Sequence, residues 1–287
     1  MEEAHFPRDP IRDFLRASGV TAEVEESPQN RFAELPPVPI APHQPAALPK
    51  AHPRQPVAPQ WEPPAEAAPP QASAEARAAV HAAREVARQA ATLDALRAAL
   101  EGFEGCPLKE TARSTCFGEG PVGAAIMFVG EAPGRDEDEA GRPFVGRSGQ
   151  LLEKMLTAIG LTRADVYISN VIPWRPPLNR TPSPIETATC EVFVRQEIRL
   201  VRPKVLVPLG GAAAKTLLQV DAGIVRQRGR WVRYAIDPAA PEDAIDAVAT
   251  FHPAYLLRTP AEKRRVWWDL MAIRRRLEAE HGLPPVH

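Results

Sequence analysis

The chain has 287 residues, and 35 lysine and arginine side chains nearly balance 36 aspartate and glutamate side chains, leaving a formal net charge of −1. This balance excludes a strongly basic, histone-like nucleic-acid binder, so any contact with phosphate must come from a local patch. Three cysteines are too few for a disulfide framework. No apolar run approaches the ~20 residues that a membrane-spanning helix needs. We therefore expect a cytoplasmic protein that does not enter a membrane.

The N-terminal part divides into a short segment at residues 1–30 and a proline-rich stretch at residues 31–72. In the first, Ile11, Phe14 and Leu15 would share one face of a short helix. In the second, the prolines remove backbone donors and fix φ, which favours a disordered or polyproline II arm over helix or central strand. This arm is either a linker, which we favour, or a docking segment for a protein partner.

The composition of residues 73–102 shifts to alanine, which predicts one helix leading into a globular region at residues 103–280. In that region, apolar runs predict strands at 124–130, 166–172, 205–210 and 247–251, with helices at 149–159, 184–201, 211–218 and about 261–280; WVRYAI is a candidate further strand. This alternation is typical of a three-layer α/β/α sandwich with a central, mostly parallel four-stranded sheet. Ligands bind such sheets beyond the carboxyl ends of the strands.

The loop after the first strand, GEAPGRDEDEAGRPFVGRSGQLL, is the most acidic part of the region. Its carboxylates are Glu131, Asp136, Glu137, Asp138 and Glu139. A carboxylate can activate water or stabilise a developing cation, although a solvated acidic loop is the alternative. Further on, Phe144 is either a core or a site residue. Ser148 precedes a helix whose N-terminal amides suit a phosphate, or is an ordinary N-cap.

Two later loops also place polar residues at strand ends. Asn170 follows the second strand, and its amide offers both the donor and the acceptor that a base edge requires, although such a residue can merely tie down a turn. Arg175 and Arg180 stand among the prolines of RPPLNRTP and are candidate phosphate contacts. His252 opens the motif HPAYLLR, and its leucines either insert into a base stack or pack against the last helix.

These motifs, in this order, resemble the uracil-DNA glycosylase superfamily, and family 4 most closely. The resemblance covers about Phe103 to Arg276 and depends on GEAPG, EDEAGRPFVGRSGQLL, RPPLNRTP, VPLG and HPAYLLR. It implies a monomeric enzyme that flips uracil out of single- or double-stranded DNA and hydrolyses the N-glycosidic bond. The product would be an abasic site, which initiates base excision repair.

The resemblance also implies a role for each matching residue. Phe144 would stack on the flipped uracil, Asn170 would hydrogen-bond its Watson–Crick edge, and His252 would face O2. Glu137 matches the residue that acts on water or the sugar cation; Glu131 lies in the same loop, and the division of labour between them stays open. The remaining uracil-binding positions are Gly130, Ala132 and Pro133, and the DNA-binding positions are Arg147, Ser148, Arg175, Arg180, Leu256 or Leu257, and Arg258.

The chain departs from family 4 at the iron–sulfur cluster, which that family holds on four cysteines. The four positions here read Phe103, Cys106, Trp174 and Cys190, and Cys116 falls on none of them. A four-thiolate cluster needs four ligands, so we predict no cluster and no other cofactor or metal. Phe103 and Trp174 would fill the space, leaving two buried free thiols.

Two other functions compete with the glycosylase. A catalytically weak or inactive scaffold would recruit repair partners through the proline-rich arm, but intact Glu137, Phe144, Asn170 and His252 argue against it. A phosphate-ester hydrolase on the same fold would need metal-binding carboxylates from different strands, whereas these sit mainly in one loop. We therefore favour the glycosylase.

Overall fold

The computed structural model of the protein describes residues 74–237 and 239–282. The helix and the proline-rich arm predicted within residues 1–72 lie outside these ranges. Strands are Ile126–Gly130 (β1), Tyr167–Asn170 (β2), Val205–Pro208 (β3), Trp231–Tyr234 (β4) and Ile245–Val248 (β5). Helices are Ala74–Gln89 (α1), Leu93–Gly102 (α2), Leu108–Thr111 (α3), Arg135–Ala140 (α4), Arg147–Ala158 (α5), Pro184–Val201 (α6), Gly211–Leu218 (α7), Ile224–Gln227 (α8), Pro253–Arg258 (α9) and Lys263–His281 (α10). Within the described ranges, no helix is long and apolar enough to cross a membrane.

The sheet has five strands in the order β2-β1-β3-β5-β4, so the predicted four-stranded sheet is wrong by one strand. All neighbours are parallel except β4, which runs antiparallel to β5 at the sheet edge. The four counted strands are almost wholly buried, whereas β4 is half exposed and carries Arg233 outward; β4 lies in WVRYAI, so the candidate further strand is confirmed. The mostly parallel α/β architecture is confirmed.

Helices cover both faces of the sheet, and successive strand residues point into two separate cores. Met127 and Val129 of β1 face the core that contains α2 and α6, while Phe128 faces the core of α5, α9 and α10. This alternation follows from the pleat of a β-strand. The continuous apolar run of β1 therefore serves both layers at once.

The alanine-rich segment forms two helices, so the prediction of one helix over residues 73–102 is wrong. Thr92 begins the second helix, since its side chain accepts a hydrogen bond from the amide of Ala95 at 3.1 Å. Gln196 of α6 donates its side-chain amide to the carbonyl of Ala90 at 2.9 Å, and Leu96 is fully buried. Both helices thus belong to the core that α6 completes.

Candidate active site

A cavity of about 470 Å³ lies beyond the carboxyl ends of β1, β2 and β3. It brings together most of the predicted site residues: Glu131, Ala132, Pro133, Glu137, Phe144, Ser148, Asn170, Arg180, His252 and Arg258. Predicted residues outside its lining are Gly130, Arg147, Arg175, Leu256 and Leu257. Lining residues that had no predicted role include Gly134, Gly210 and Tyr255. The strand-end motifs therefore converge as the parallel topology requires.

Asn170 carries an unused acceptor at the base of this cavity. It is the last residue of β2, pairs in register with Gly130, and is only 4% exposed. Its Oδ1 is buried and has no hydrogen-bond partner among the described residues. A buried acceptor left unpaired costs about 1–3 kcal/mol, so this atom is suited to an N–H group of a ligand.

Gly130 allows Asn170 and Phe144 to approach each other. A Cβ at position 130 would lie 2.4 Å from Asn170 Oδ1 and 2.6 Å from the Phe144 ring. Both are shorter than real Cβ contacts. The glycine is thus required at the end of β1 by the space that the two side chains occupy.

Phe144 is held in an unfavourable backbone conformation. Its φ is +55°, in the left-handed region that costs a residue with a side chain about 1–3 kcal/mol. Arg163 stabilises this conformation, because one Nη donates to the Phe144 carbonyl at 2.8 Å and the other to the Pro143 carbonyl. Arg163 Nε binds Glu119 at 2.5 Å, which anchors the guanidinium. The Phe144 ring therefore has a defined position at the cavity.

The geometry of His252 defines which nitrogen carries the proton. Nδ1 accepts a hydrogen bond from the amide of Ala254 at 3.0 Å, where His252 caps α9. Burial, and secondarily the charge of Arg258, lowers the pKa of His252 to about 4. The imidazole is therefore neutral at physiological pH, and Nε2 carries the proton. It lies beside Phe144, with ring centroids 5.6 Å apart.

The two glutamates of the cavity differ in how they are bound. Glu137 accepts three backbone hydrogen bonds, from Val145 (3.0 Å) and Gly146 (2.8 Å) on one oxygen and from Gly134 (3.1 Å) on the other. The side-chain carboxylate of Glu131 has no hydrogen-bond or ion-pair partner in the part of the chain that the structure describes, and burial raises its pKa. Glu137 thus ties two loops together, and Glu131 has a free carboxylate.

Two other carboxylates of the acidic loop, Asp138 and Asp136, have partners of their own. Asp138 is buried and accepts hydrogen bonds from the amides of Arg113 (2.8 Å) and Ser114 (3.2 Å), which makes it a structural anchor. Asp136 pairs with Arg135 on the exposed side of α4. The five like charges are therefore distributed over separate environments, and the alternative of a wholly solvated loop does not hold.

The two arginines of the proline-rich loop have partners close by in the chain, one in the loop and one on α6. Arg180 makes a bidentate ion pair with Glu186 at 2.8 and 2.6 Å, and Glu186 is buried. Arg175 Nε donates to Asn179 Oδ1 at 2.8 Å. Both guanidinium groups therefore stabilise the loop, and a contact of Arg175 or Arg180 with phosphate stays a prediction.

Leu256 cannot serve as a wedge in DNA. It is fully buried in the core formed by α5, α9 and α10, so the alternative of packing against the last helix is the one observed. Leu257 is partly buried against the same core, and Arg258 is exposed at the cavity. The predicted insertion at this motif can therefore involve Leu257 only.

The four positions at which family 4 would bind its cluster hold two thiols and two aromatic rings. Cys106 and Cys190 are buried with their sulfur atoms 3.6 Å apart. The Phe103 ring packs against Phe193, with ring centroids 5.3 Å apart, and Trp174 is only 1% exposed. A cluster bound by four thiolates does not fit this set, because the aromatic side chains supply no ligand.

The third cysteine is engaged elsewhere. Cys116 is buried and its thiol donates to the carbonyl of Glu137 at 3.1 Å. Burial raises the pKa of Cys116 to about 12, with further contributions from the charges of Asp138 and Glu137. This thiol therefore stays protonated, and its hydrogen bond to Glu137 stabilises the acidic loop.

Comparisons with known proteins agree with this geometry. Residues 117–271, slightly more than half of the chain, match the model of the uracil DNA glycosylase superfamily, and the chain belongs to that superfamily. Within it, the similarity to type 4 is pronounced. The chain is 36% identical over 178 residues to the type-4 uracil-DNA glycosylase of Pyrobaculum aerophilum, an alignment that covers 62% of this chain and 91% of the relative.

Two further relatives support the same placement. The type-4 uracil-DNA glycosylase of Thermotoga maritima is 40% identical over 161 residues, covering 56% of this chain and 80% of the relative. That of Archaeoglobus fulgidus is 41% identical over 159 residues, covering 54% and 78%. The resemblance to family 4 is thereby confirmed.

Proposed function

We propose that the protein excises uracil from DNA by hydrolysing the N-glycosidic bond, leaving an abasic site as the first step of base excision repair. The buried, unpaired Oδ1 of Asn170 carries this proposal, because Asn170 lines the cavity together with an aromatic ring and a neutral imidazole. Uracil presents an N3–H donor between two carbonyl oxygens, and that donor matches the free acceptor. Such recognition requires a base that has left the stack.

The strained backbone conformation of Phe144 holds its ring ready to stack on the extruded base. Rotating a base out of a duplex costs a few kcal/mol, and stacking on an aromatic ring recovers part of it. Because Arg163 already holds Phe144 in its left-handed conformation, the ring needs no reordering when the base arrives. The site therefore receives the extruded base on a preformed surface.

Bond cleavage separates charge, and two residues would stabilise the two products. As the C1′–N1 bond breaks, its electron pair goes to uracil and positive charge develops on the sugar. With Nδ1 occupied by the amide of Ala254, the Nε2–H of His252 would donate to the uracil O2, where negative charge accumulates. The free Glu131 carboxylate accepts a proton from the water that adds to C1′. No covalent enzyme intermediate is needed.

The two glutamates of the cavity have different roles in this mechanism. The Glu131 carboxylate is unpaired, and burial raises its pKa, which makes it a stronger base than an ordinary glutamate side chain. Glu137 holds three backbone amides and fixes the cavity wall formed by Gly134 and Gly146. We therefore propose that Glu131 activates the water and that Glu137 maintains the structure of the site.

Contacts to DNA outside the cavity stay at the level of proposals. Arg147 is exposed on the first turn of α5, next to Ser148, and the N-terminus of that helix suits a phosphate. Arg258 adds a positive charge at the opposite rim. A protein partner for the proline-rich arm, a monomeric state and a cytoplasmic location remain predictions.

We also propose that the protein works without an iron–sulfur cluster. Support comes from the two aromatic side chains at the ligand positions, Phe103 and Trp174, and from the thiol of Cys116, which binds a carbonyl instead. The mechanism above uses no group that such a cluster would supply. Iron and sulfide analysis of the purified protein tests this, and stoichiometric iron with a visible absorption band would contradict it.

The function is tested by single-turnover excision from a uracil-containing single-stranded oligonucleotide. We expect abasic sites with the wild type, and a loss of at least about 100-fold in Glu131→Gln with an unchanged melting temperature. Glu137→Gln should lose both rate and stability, since its three amide partners are disturbed. Glu139→Gln, an exposed carboxylate of the same loop, is the matched control. Binding of uracil-containing DNA without any excision would instead support the scaffold hypothesis.

A further inference from the structure

One leucine at the rim of the cavity is presented to solvent. Leu178 is 96% exposed, the largest exposure among the large apolar residues of the described chain. Its neighbours Pro176, Asn179 and Arg180 all line the cavity. Leu178 therefore stands where a nucleic acid that delivers a base into the cavity must pass.

The backbone around this leucine is unusual and rigid. Leu178 and Asn179 both have left-handed φ values, +54° and +55°, which residues with side chains rarely adopt. Pro176 and Pro177 fix φ directly before them. The amide of Asn179 donates to the carbonyl of Pro176 at 3.0 Å, and that of Arg180 to the carbonyl of Pro177 at 3.1 Å. The tight turn thus directs the leucine outward.

Two side-chain contacts hold the turn in place. Arg175 binds Asn179 Oδ1 at 2.8 Å, and Arg180 makes its bidentate ion pair with the buried Glu186. Both arginines are therefore used to fix the loop that presents Leu178. Leu178 is not itself a lining residue, but it lies between residues that are, unlike the other exposed large apolar residues, Val122, Val225 and Trp268.

We propose that Leu178 contacts DNA, covering the face of the base next to the uracil once the uracil has left the stack. This inference depends on the proposed function. An extruded base leaves its neighbour with an uncovered apolar face, and proteins that distort DNA often fill such gaps with leucine. A preordered loop makes the contact at a low entropic cost. Leu256, the first leucine of HPAYLLR, is buried and cannot make this contact.

The contact should matter more in a duplex than in a single strand. In a duplex the uracil can return to its partner, so an apolar group in the gap shifts the equilibrium toward the extruded state. A single strand lacks this competing pairing. Leu178→Ala should therefore lower the excision rate selectively on duplex DNA.

The experiment compares kcat/KM of the wild type, Leu178→Ala, Leu257→Ala and Val225→Ala on a uracil·adenine duplex and on the corresponding single strand. We expect Leu178→Ala to lose about tenfold on the duplex, as partial burial of one leucine would give, and less than about twofold on the single strand. Val225→Ala, an equally simple truncation of an exposed apolar residue away from the cavity, should match the wild type. Melting temperatures should be unchanged in both.

A fluorescent base gives a second measurement. A 2-aminopurine placed beside a non-hydrolysable 2′-fluoro-deoxyuridine is quenched when it stacks on neighbouring bases and brightens when an inserted aliphatic side chain keeps the gap open. We expect a dimmer bound state with Leu178→Ala than with the wild type, because the gap can close without the leucine.

Several results would overturn the inference: wild-type rates on both substrates in Leu178→Ala, an equal loss in Val225→Ala, or a duplex-selective loss confined to Leu257→Ala. A wild-type protein that excises uracil from neither substrate would instead refute the proposed function itself.

Discussion

Replacing Gly130 by alanine should inactivate the site while leaving the fold nearly intact. The added Cβ would lie 2.4 Å from Asn170 Oδ1 and 2.6 Å from the Phe144 ring, whereas ordinary contacts begin at 3.4 Å. One or both side chains must therefore move by about 1 Å. Misplacement on this scale can cost about 100-fold in rate, which corresponds to about 2.7 kcal/mol in the activation free energy.

The assay is single-turnover excision from single-stranded uracil DNA, paired with a thermal melt. Gly223→Ala is the control, because a Cβ at that position meets nothing within 4 Å and its φ is not left-handed. We expect the control to keep the wild-type rate and Gly130→Ala to lose about 100-fold with a small change in melting temperature. Gly130→Ala at more than about a third of the wild-type rate would refute the assignment of Asn170 and Phe144 to base recognition.

Three further predictions concern Arg163 and His252 at the site and Glu197, a buried carboxyl on α6. Arg163→Lys should lower the excision rate by about tenfold, because a single ammonium group cannot replace the guanidinium that binds two carbonyls and a carboxylate. A wild-type rate would show that Phe144 holds its conformation without Arg163. Burial raises the pKa of Glu197 from 4.5 to about 8, so the stability contributed by its protonated form is present below pH 4.5 and is lost as pH rises toward 8. Urea unfolding should therefore show Glu197→Gln gaining stability relative to the wild type between pH 5 and 8, and a pH-independent difference would contradict this. The His252 ring resonances in NMR, assigned with His252→Gln, should remain those of a neutral imidazole at pH 5.5, whereas a titration midpoint near 6.5 would contradict the burial described here.

The sequence predicts the parts of the fold that depend on continuous burial. Side chains of strands β1 and β3 pack into both cores, so each of these strands is an unbroken apolar run in the sequence. Strand β4 lies at the edge, where Arg233 pairs with Asp246 of β5, and its mixed pattern is weak evidence for a strand. The break before α2 depends on the cap at Thr92, which an alanine-rich helical pattern masks.

The candidate site was predictable where a motif carries the residue, and less so where a contact decides its role. Arg163 lies in LTRADV, which contains no recognisable motif. Its role becomes visible only in the structure, where it donates a hydrogen bond to the carbonyl of Phe144. Arg180 reads as a phosphate ligand in isolation, although Glu186, six residues on, was a signal for local pairing. Leu256 shares its motif with a site histidine, and only the packing of α10 shows that it is a core residue.

The packing of α1 and α2 on α6 has a consequence for the order of events during synthesis. The two helices leave the ribosome before α6, which ends about a hundred residues later. At about 5–20 residues per second, their inner faces wait roughly 5–20 s for the partner that covers them. On α1 the buried residues of that face are Ala83 and Ala87, with Val86 partly buried beside them, and alanine methyl groups expose little apolar surface. The alanine-rich composition therefore limits the risk that the nascent chain associates with others before its core can close.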